Sequence, residues 1–253
     1  MTYWLLKAFL TPVLRFFYRV RVEGLEHVPA DGPAILASNH LSFSDSFFLP
    51  MVLRRRITFV AKAEYFEDPK TAWFFRAVGQ IPIRRTGGSD AKGALEAATG
   101  VLRSGGLFGI YPEGTRSPDG RLYRGHTGVA RLAIESRVPV LAVAMLGTRE
   151  AQPIGALRPR VFVPITIRIS EPMRFGPTGE RGPGPLALRR VTDEIMFELA
   201  RLSGQEYVER YAKKHDPEAI DLAEATPVLR GPPLRTAIHD VGGDQPQTAA
   251  TVG

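Results

Sequence analysis

The sequence predicts an α/β fold: a single domain with a central mixed, mostly parallel sheet flanked by helices, plus an N-terminal amphipathic membrane-interface helix. Three features carry the sheet. Residues 34–37 and 107–111 are short apolar runs that stop at polar or glycine-bearing corners, as buried strands do. Residues 138–145 are apolar throughout, too continuous for a strand with one wet face, and read as a central strand. Helical patterns follow these runs, the alternation that gives parallel strands with helical crossovers. A chain of 253 residues, 44% of them hydrophobic, is long enough for one such domain with a sizeable core.

Residues 3–20 form the predicted amphipathic helix, with Pro12 as a kink. Lys7, Thr11, Arg15 and Arg19 recur every four residues and make one polar stripe. Trp4, Leu5, Leu6, Phe9, Leu10, Val13, Leu14, Phe16 and Phe17 cover the rest of the circumference. A wide apolar face with aromatics and an all-cationic edge suits a bilayer interface; a helix packed on the chain's own core is the alternative. Lys7, Arg15 and Arg19 interrupt the run, so neither a spanning helix nor a cleaved signal is expected. Residues 20–22 read as a strand and 24–33 as a turn-rich connection, with His27 an exposed loop residue.

The strand at 34–37 enters a polar corner, Ser38-Asn39-His40. Ser42 is placed to cap the following helix, and Asp45 completes a capping box ahead of Phe47-Phe48-Leu49. A histidine thus ends a strand and an aspartate opens a helix, at the crevice where open α/β sheets bind ligands. Across such a corner the Asp45 carboxylate can fold back onto the His40 imidazole. It would fix the tautomer and leave the other ring nitrogen to take a proton. Capping alone would also account for Asp45, and a backbone contact for His40.

That helix runs to about residue 53, where Arg54, Arg55 and Arg56 read as a solvated cationic cap. A strand at 57–61 is followed by Lys62. Trp73, Phe74 and Phe75 form an aromatic cluster, core or second membrane contact. Residues 79–85 end in Arg84-Arg85, and 90–102 read as a helix. The strand at 107–111 runs into Pro112-Glu113-Gly114-Thr115-Arg116. Glycine there exposes the backbone and arginine supplies a planar donor fork, a sound phosphate site. Glu113 is expected to accept from a substrate hydroxyl or to hold an arginine, with a structural turn contact as the alternative. A helix at 129–135, a structural His126 and a last strand at 161–169 come next. Leu186, Leu188, Val191, Ile195, Leu199 and Leu202 make a helical stripe. The predicted organisation is therefore a membrane-associating helix at 1–20, a main domain at 21–215 and a disordered tail at 222–253.

The chain contains no cysteine, which excludes disulfides, thiolate metal sites and a cysteine acyl-enzyme. Its net charge of +7 calls for an anionic partner. No nucleic-acid-binding motif is present, so lipid or phosphate is the expected partner, and not nucleic acid. His40 and Asp45 lack a third and fourth ligand at usable spacing, so no metal is expected.

Residues 39–45 (NHLSFSD) and 111–117 (YPEGTRS), in this order and about seventy residues apart, resemble motifs I and III of the PlsC-like glycerolipid acyltransferase family, which makes lysophosphatidic and phosphatidic acid. Residues 79–85 resemble motif II and 138–145 motif IV; the resemblance covers roughly 20–170. It implies transfer of a fatty acyl group from a thioester, acyl-CoA or acyl carrier protein, to a hydroxyl of 1-acylglycerol 3-phosphate. His40 would be the general base and Asp45 its partner. Arg85, Arg84, Lys62, Glu113, Gly114, Thr115 and Arg116 would bind the acceptor and its phosphate, and Asn39 and Pro139 would form the site wall. Ala142 stands where relatives often carry a second proline, and Arg124 where many carry lysine. No G-x-S-x-G elbow is present, so direct attack without a covalent intermediate is the simpler route. No cofactor is implied beyond the thioester co-substrate. The implied location is the cytoplasmic face of the cell membrane, peripherally bound. Glycerol 3-phosphate, another lysophospholipid or a glycolipid remain alternative acceptors, and a non-catalytic membrane-binding protein an alternative class.

Overall fold

The computed structural model describes residues 2–83, 88–156, 158–176 and 182–213. Arg84, Arg85 and the predicted tail at 222–253 lie outside the described residues.

The chain begins with α1 (Thr2–Phe17), β1 (Arg19–Glu23), a 3₁₀ turn (Leu25–His27), β2 (Ala34–Ser38) and α2 (Asp45–Val52). It continues with β3 (Ile57–Lys62), α3 (Glu64–Glu67), α4 (Pro69–Ala77), β4 (Ile81–Ile83), α5 (Gly88–Arg103) and β5 (Leu107–Ile110). Then come β6 (Leu122–Tyr123), α6 (Gly128–Ser136), β7 (Val140–Leu146), α7 (Thr148–Ala151), β8 (Pro164–Ile169), α8 (Pro185–Ser203) and β9 (Tyr207–Val208).

The main sheet has the order β1-β8-β7-β2-β5-β3-β4. The five strands from β7 to β4 are mutually parallel, and β8 joins β7 antiparallel with β1 alongside it, so the sheet is mixed and mostly parallel. β2 sits in the middle and is buried along its whole length. Its side chains alternate between the two faces, as a pleated strand requires. Ile35 and Ala37 pack with α5, α6 and α8, while Ala34 and Leu36 pack with α2 and the β1-β8 side. Helices on both faces explain why the β2 and β7 sequences are apolar without interruption. Pro82 falls in β4, the edge strand, where a missing N–H costs no ladder bond.

Several expectations are corrected. A strand at 161–169 was to be the last; instead the chain after α8 returns as β9, parallel to β6, in a small second sheet. Two-residue strands carry too little pattern to be read. Leu186 is exposed, because it lies in the first turn of α8, ahead of Leu188, where burial of the stripe starts. His27 is half-buried, its Nδ1 3.1 Å from the Ile169 carbonyl. Arg55 is no solvated cap: it donates to the carbonyls of Pro29, Gly32 and Gly105 and ties three loops together. The aromatic cluster divides, with Phe75 buried and Trp73 exposed on α4.

The largest departure is α1. Lys7, read as part of a cationic edge for a bilayer interface, turns inward and donates to the Pro50 and Leu53 carbonyls, whereas Arg15 stays exposed and Arg19 already belongs to β1. Those are carbonyls at the end of α2, which lack intrahelical partners and attract a cation. Tyr3 faces inward with it, while Trp4, Leu5, Phe9, Val13, Phe16 and Phe17 are exposed. No helix among the described residues is long and apolar enough to cross a membrane.

Candidate active site

His40 stands two residues beyond the end of β2, at the carboxyl edge of the parallel strands. Its Nδ1 is 2.9 Å from Asp45 Oδ2. The same oxygen accepts from the N–H groups of Leu41 and Ser42, each at 2.8 Å. A fully buried carboxylate oxygen held by three donors has one stable orientation. Because Asp45 accepts, the His40 ring carries its proton on Nδ1 and presents a lone pair at Nε2. Nε2 has no hydrogen-bond partner among the described residues, and the side chain keeps 17% exposure. The predicted capping box is half present. Asp45 reaches back to the Ser42 N–H, but α2 starts at Asp45 itself, and Ser42 Oγ accepts from the Ser44 N–H while donating to the Gln152 carbonyl.

The second corner follows β5, the strand beside β2. Tyr111 stacks on the His40 ring, centroids 3.8 Å apart and planes within 13°. Burial, with the Asp45 carboxylate nearby, raises the Tyr111 hydroxyl above its ordinary pKa, so it stays neutral. Ser117 N donates to the His40 carbonyl at 2.7 Å. Gly114 adopts φ 72°, which favours glycine, and a Cβ there would come to 3.1 Å from the His126 ring, a tight contact that the ring would have to yield to. His126, read as structural, donates its backbone N–H to the Pro112 carbonyl and stacks on Tyr211.

Glu113 is not placed as expected. It is 1% exposed, and its oxygens accept from the N–H groups of His40, at 3.1 Å, and Tyr123, at 2.9 Å. Burial pushes its carboxyl up to about 8, against these two hydrogen bonds and with help from the Asp45 and Asp119 carboxylates. It is a strut between the two corners, not a group facing a substrate hydroxyl. Asn39 is likewise buried and not a wall: its amide exchanges two hydrogen bonds with the Met145 backbone and prolongs the β2-β7 ladder by one step. Pro139 lies at the far end of the sheet, its carbonyl accepting from Ile35 N at the start of β2. Five residues of strand and corner separate that end from His40, roughly 16 Å at the rise of a strand.

Arg116 and Thr115 are half-buried on the turn beside His40. Among the described residues, the Arg116 guanidinium has no hydrogen-bond or ion-pair partner. Lys62 ends β3 on the same sheet edge, also without a side-chain partner among the described residues. The N–H groups at these two corners are engaged: those of Leu41 and Ser42 by Asp45, and that of Gly114 by the Tyr111 carbonyl.

Residues 19–146, half of the chain, match the model of the protein family described as Acyltransferase. The chain belongs to the acyltransferase family. Its relatives include the chloroplast 1-acyl-sn-glycerol-3-phosphate acyltransferase of Arabidopsis thaliana, 33% identical over 141 residues, which covers 55% of this chain and 39% of that protein. The human 1-acyl-sn-glycerol-3-phosphate acyltransferase alpha is 30% identical over 135 residues, covering 52% of this chain and 48% of its own. The chain thus spans about two fifths to one half of these curated relatives. The crystal structure of the 1-acyl-sn-glycerophosphate acyltransferase PlsC from Thermotoga maritima superposes with a TM-score of 0.57, at 26% identity over 79% of this chain and 82% of that one.

In this chain an apolar cavity opens between α1, α2, β3 and α4. Its empty space is about 790 Å³, the open mouth included. Leu10 and Leu14 of α1, Phe47 and Met51 of α2, and Phe74 of α4 line it, and Tyr111 closes it toward His40. Sequence reasoning gave Tyr111 no role, although the residue sits inside the matched motif. It also missed Gln205, whose side chain accepts from Asn39 at 2.7 Å and donates to the Gly120 carbonyl at 2.6 Å. Nothing local to Gln205 signals a contact 166 residues back.

Proposed function

We propose that the chain transfers a fatty acyl group from a thioester donor to the free hydroxyl of 1-acylglycerol 3-phosphate, giving phosphatidic acid. The observation that carries this reading is the His40-Asp45 pair, set between an apolar cavity and Arg116, with neither His40 Nε2 nor the Arg116 guanidinium partnered among the described residues. The named activity of the relatives supports the choice of acceptor.

His40 is the general base. As the acceptor oxygen bonds to the thioester carbonyl carbon, its proton moves to Nε2. The carbonyl electron pair shifts onto oxygen, then returns as the carbon-sulfur bond breaks. The departing thiolate takes the proton from the His40 imidazolium. Asp45 stays ionised throughout, holds the tautomer and stabilises that imidazolium. A thiolate leaves readily, so no acyl-enzyme is needed.

Arg116, with Arg85, Arg84 and Lys62, binds the acceptor phosphate and so places the hydroxyl against Nε2. Thr115 and the Gly114 backbone shape that turn. The acyl chain lies in the cavity behind Tyr111, whose ring both closes it and stacks on His40. The outward apolar face of α1 rests on the membrane, which supplies the lysolipid, and the enzyme is peripheral on the cytoplasmic face. The donor is acyl-CoA or acyl carrier protein; no other cofactor takes part.

The test is acyl transfer by the purified chain from palmitoyl-CoA to 1-acylglycerol 3-phosphate and to glycerol 3-phosphate, side by side. Preference for the lysolipid is the expected result. Preference for glycerol 3-phosphate moves the enzyme to the first acylation, and failure with both overturns the pairing of this donor with these acceptors.

A further inference from the structure

We propose that residues 158–162 are a second membrane-contact element, which inserts Phe162 beside Phe17 into a lipid surface while Arg158 and Arg160 meet anionic headgroups. The proposal rests on the reading above only in taking the chain to work at a membrane. The segment lies beyond the residues that match the family, 19–146.

Arg158, Pro159, Arg160, Val161 and Phe162 are exposed in one unbroken run, and Phe162 shows 68% of its surface. Phe162 also has φ 64°. A bulky residue in the left-handed region is strained, and among the described residues only Arg137 is another non-glycine with positive φ. The strain is held from both sides. Arg160 N donates to the Ala151 carbonyl, and Phe162 N donates to the Phe17 carbonyl at 2.7 Å. An aromatic ring is therefore fixed outward, against both local sterics and the preference of apolar surface to leave water.

The ring is not isolated. Its centroid is 6.3 Å from Phe17, and Phe17 meets Phe16 edge-on at 5.1 Å. Phe16 belongs to the outward face of α1, so two distant pieces of chain form one apolar ridge. Charge selects the occupant. The exposed charges within the segment are both arginines, and Arg15 and Arg19 flank Phe16 and Phe17 in sequence. Apolar rings edged by cations match an anionic bilayer, where the rings enter the acyl boundary and each nearby arginine gains from the surface potential.

Because the chain has no cysteine, Phe162→Cys gives a unique attachment point for an environment-sensitive dye. The dye should shift to the blue on vesicles of phosphatidylcholine with phosphatidylglycerol. Phe162→Asn, a residue that tolerates positive φ, should weaken vesicle binding about tenfold, with the melting temperature unchanged or raised. Arg158→Gln with Arg160→Gln should weaken binding to the anionic vesicles about tenfold and leave binding to pure phosphatidylcholine unchanged. Leu5→Ser with Phe9→Ser serves as a control on α1. If that pair loses binding while Phe162→Asn keeps it and the dye does not shift, the inference is overturned and the α1 contact stands. The reverse result supports the segment and overturns the α1 contact. A blue shift without vesicles that grows with protein concentration marks self-association and overturns the proposal. Absence of vesicle binding by the unaltered chain overturns both.

Discussion

The two corners at the carboxyl edge of the sheet differ in how much of their bonding is already engaged. At the first, His40 is held by Asp45 through the ring, by Glu113 through its N–H, by Ser117 through its carbonyl and by Tyr111 through stacking. At the second, the backbone is equally well tied, but the Arg116 guanidinium has no partner among the described residues. A group that must move a proton at one fixed point gains from being immobile. A group that must close on an incoming anion gains from being unpaired until it arrives. On the proposed function, this difference suits chemistry at the first corner and recognition at the second, and the two assignments can be broken separately.

Removing His40 should have the largest effect. His40→Ala should lower kcat by roughly 10³-fold or more, the scale of a lost general base, while the melting temperature stays close to the parent because the ring is partly exposed. Steady-state acylation with palmitoyl-CoA reads the first quantity and thermal denaturation the second. Near-parental turnover would remove chemistry from this corner.

Glu113 joins the corners from beneath, so its loss should be felt at both. Glu113→Gln keeps the shape but turns an amide NH₂ toward one of two backbone N–H donors. About a 10²-fold loss in kcat is expected, since a displaced base costs that much. Its titration gives an independent readout. The folded carboxyl titrates near 8 against an ordinary 4.5, so between those values the folded state holds a proton that the unfolded chain releases. Stability conferred by the protonated strut is therefore present below 4.5 and falls as pH rises toward 8. Denaturant unfolding across that range should show the decline in the parent and a flatter profile in Glu113→Gln. Parallel profiles would mean that Glu113 is not the titrating group.

Arg116→Ala should act on the other side of the comparison. A lost charge-assisted contact to phosphate predicts a rise of about tenfold to a few tens of fold in KM for 1-acylglycerol 3-phosphate, with little change in kcat. An unphosphorylated lysolipid analogue should be indifferent to the substitution. An equal loss with both acceptors would move Arg116 from recognition to the support of the first corner.

The first corner was legible because its evidence is local. A strand end, five residues of spacing and a helix start suffice to bring Asp45 onto His40. The central strands were legible for a similar reason, since burial on both faces writes itself as an apolar run in β2 and β7. The roles of Glu113, Asn39 and Pro139 were not. A carboxylate beside a phosphate turn reads as a ligand group, and only the three-dimensional path shows it facing two backbone N–H groups. A polar residue next to a catalytic candidate reads as lining, and only the β2-β7 register shows Asn39 completing a ladder and Pro139 at the wrong end of it. The inward turn of Lys7 was not legible either, because the carbonyls that attract it belong to the end of α2, some 43 residues on, while Arg15 of the same helix stays exposed.

Gln205 offers the smallest and most discriminating test. It comes from the strap after α8 and touches both corners, accepting from Asn39 next to His40 and donating to Gly120 beyond Arg116. Asn39 keeps its bonds to Met145 without it, so the first corner has a second anchor. The Gly120 carbonyl depends on Gln205 more, because Gln205 is its one hydrogen-bond partner among the described residues. The rest of that turn is also tied by Ser117 Oγ, which accepts from the Gly120 N–H and donates to the Arg121 carbonyl, and by Asp119, which accepts from the Arg121 N–H and the Tyr123 hydroxyl. Gln205→Ala should therefore raise KM for the phosphorylated acceptor a few-fold, leave kcat within about twofold, and cost roughly 1 kcal/mol of stability. A fall in kcat at constant KM would mean that the strap supports the histidine through Asn39. The division between a fixed corner and a receptive one would then lie elsewhere, since the element that joins them would be acting on the corner already held four ways.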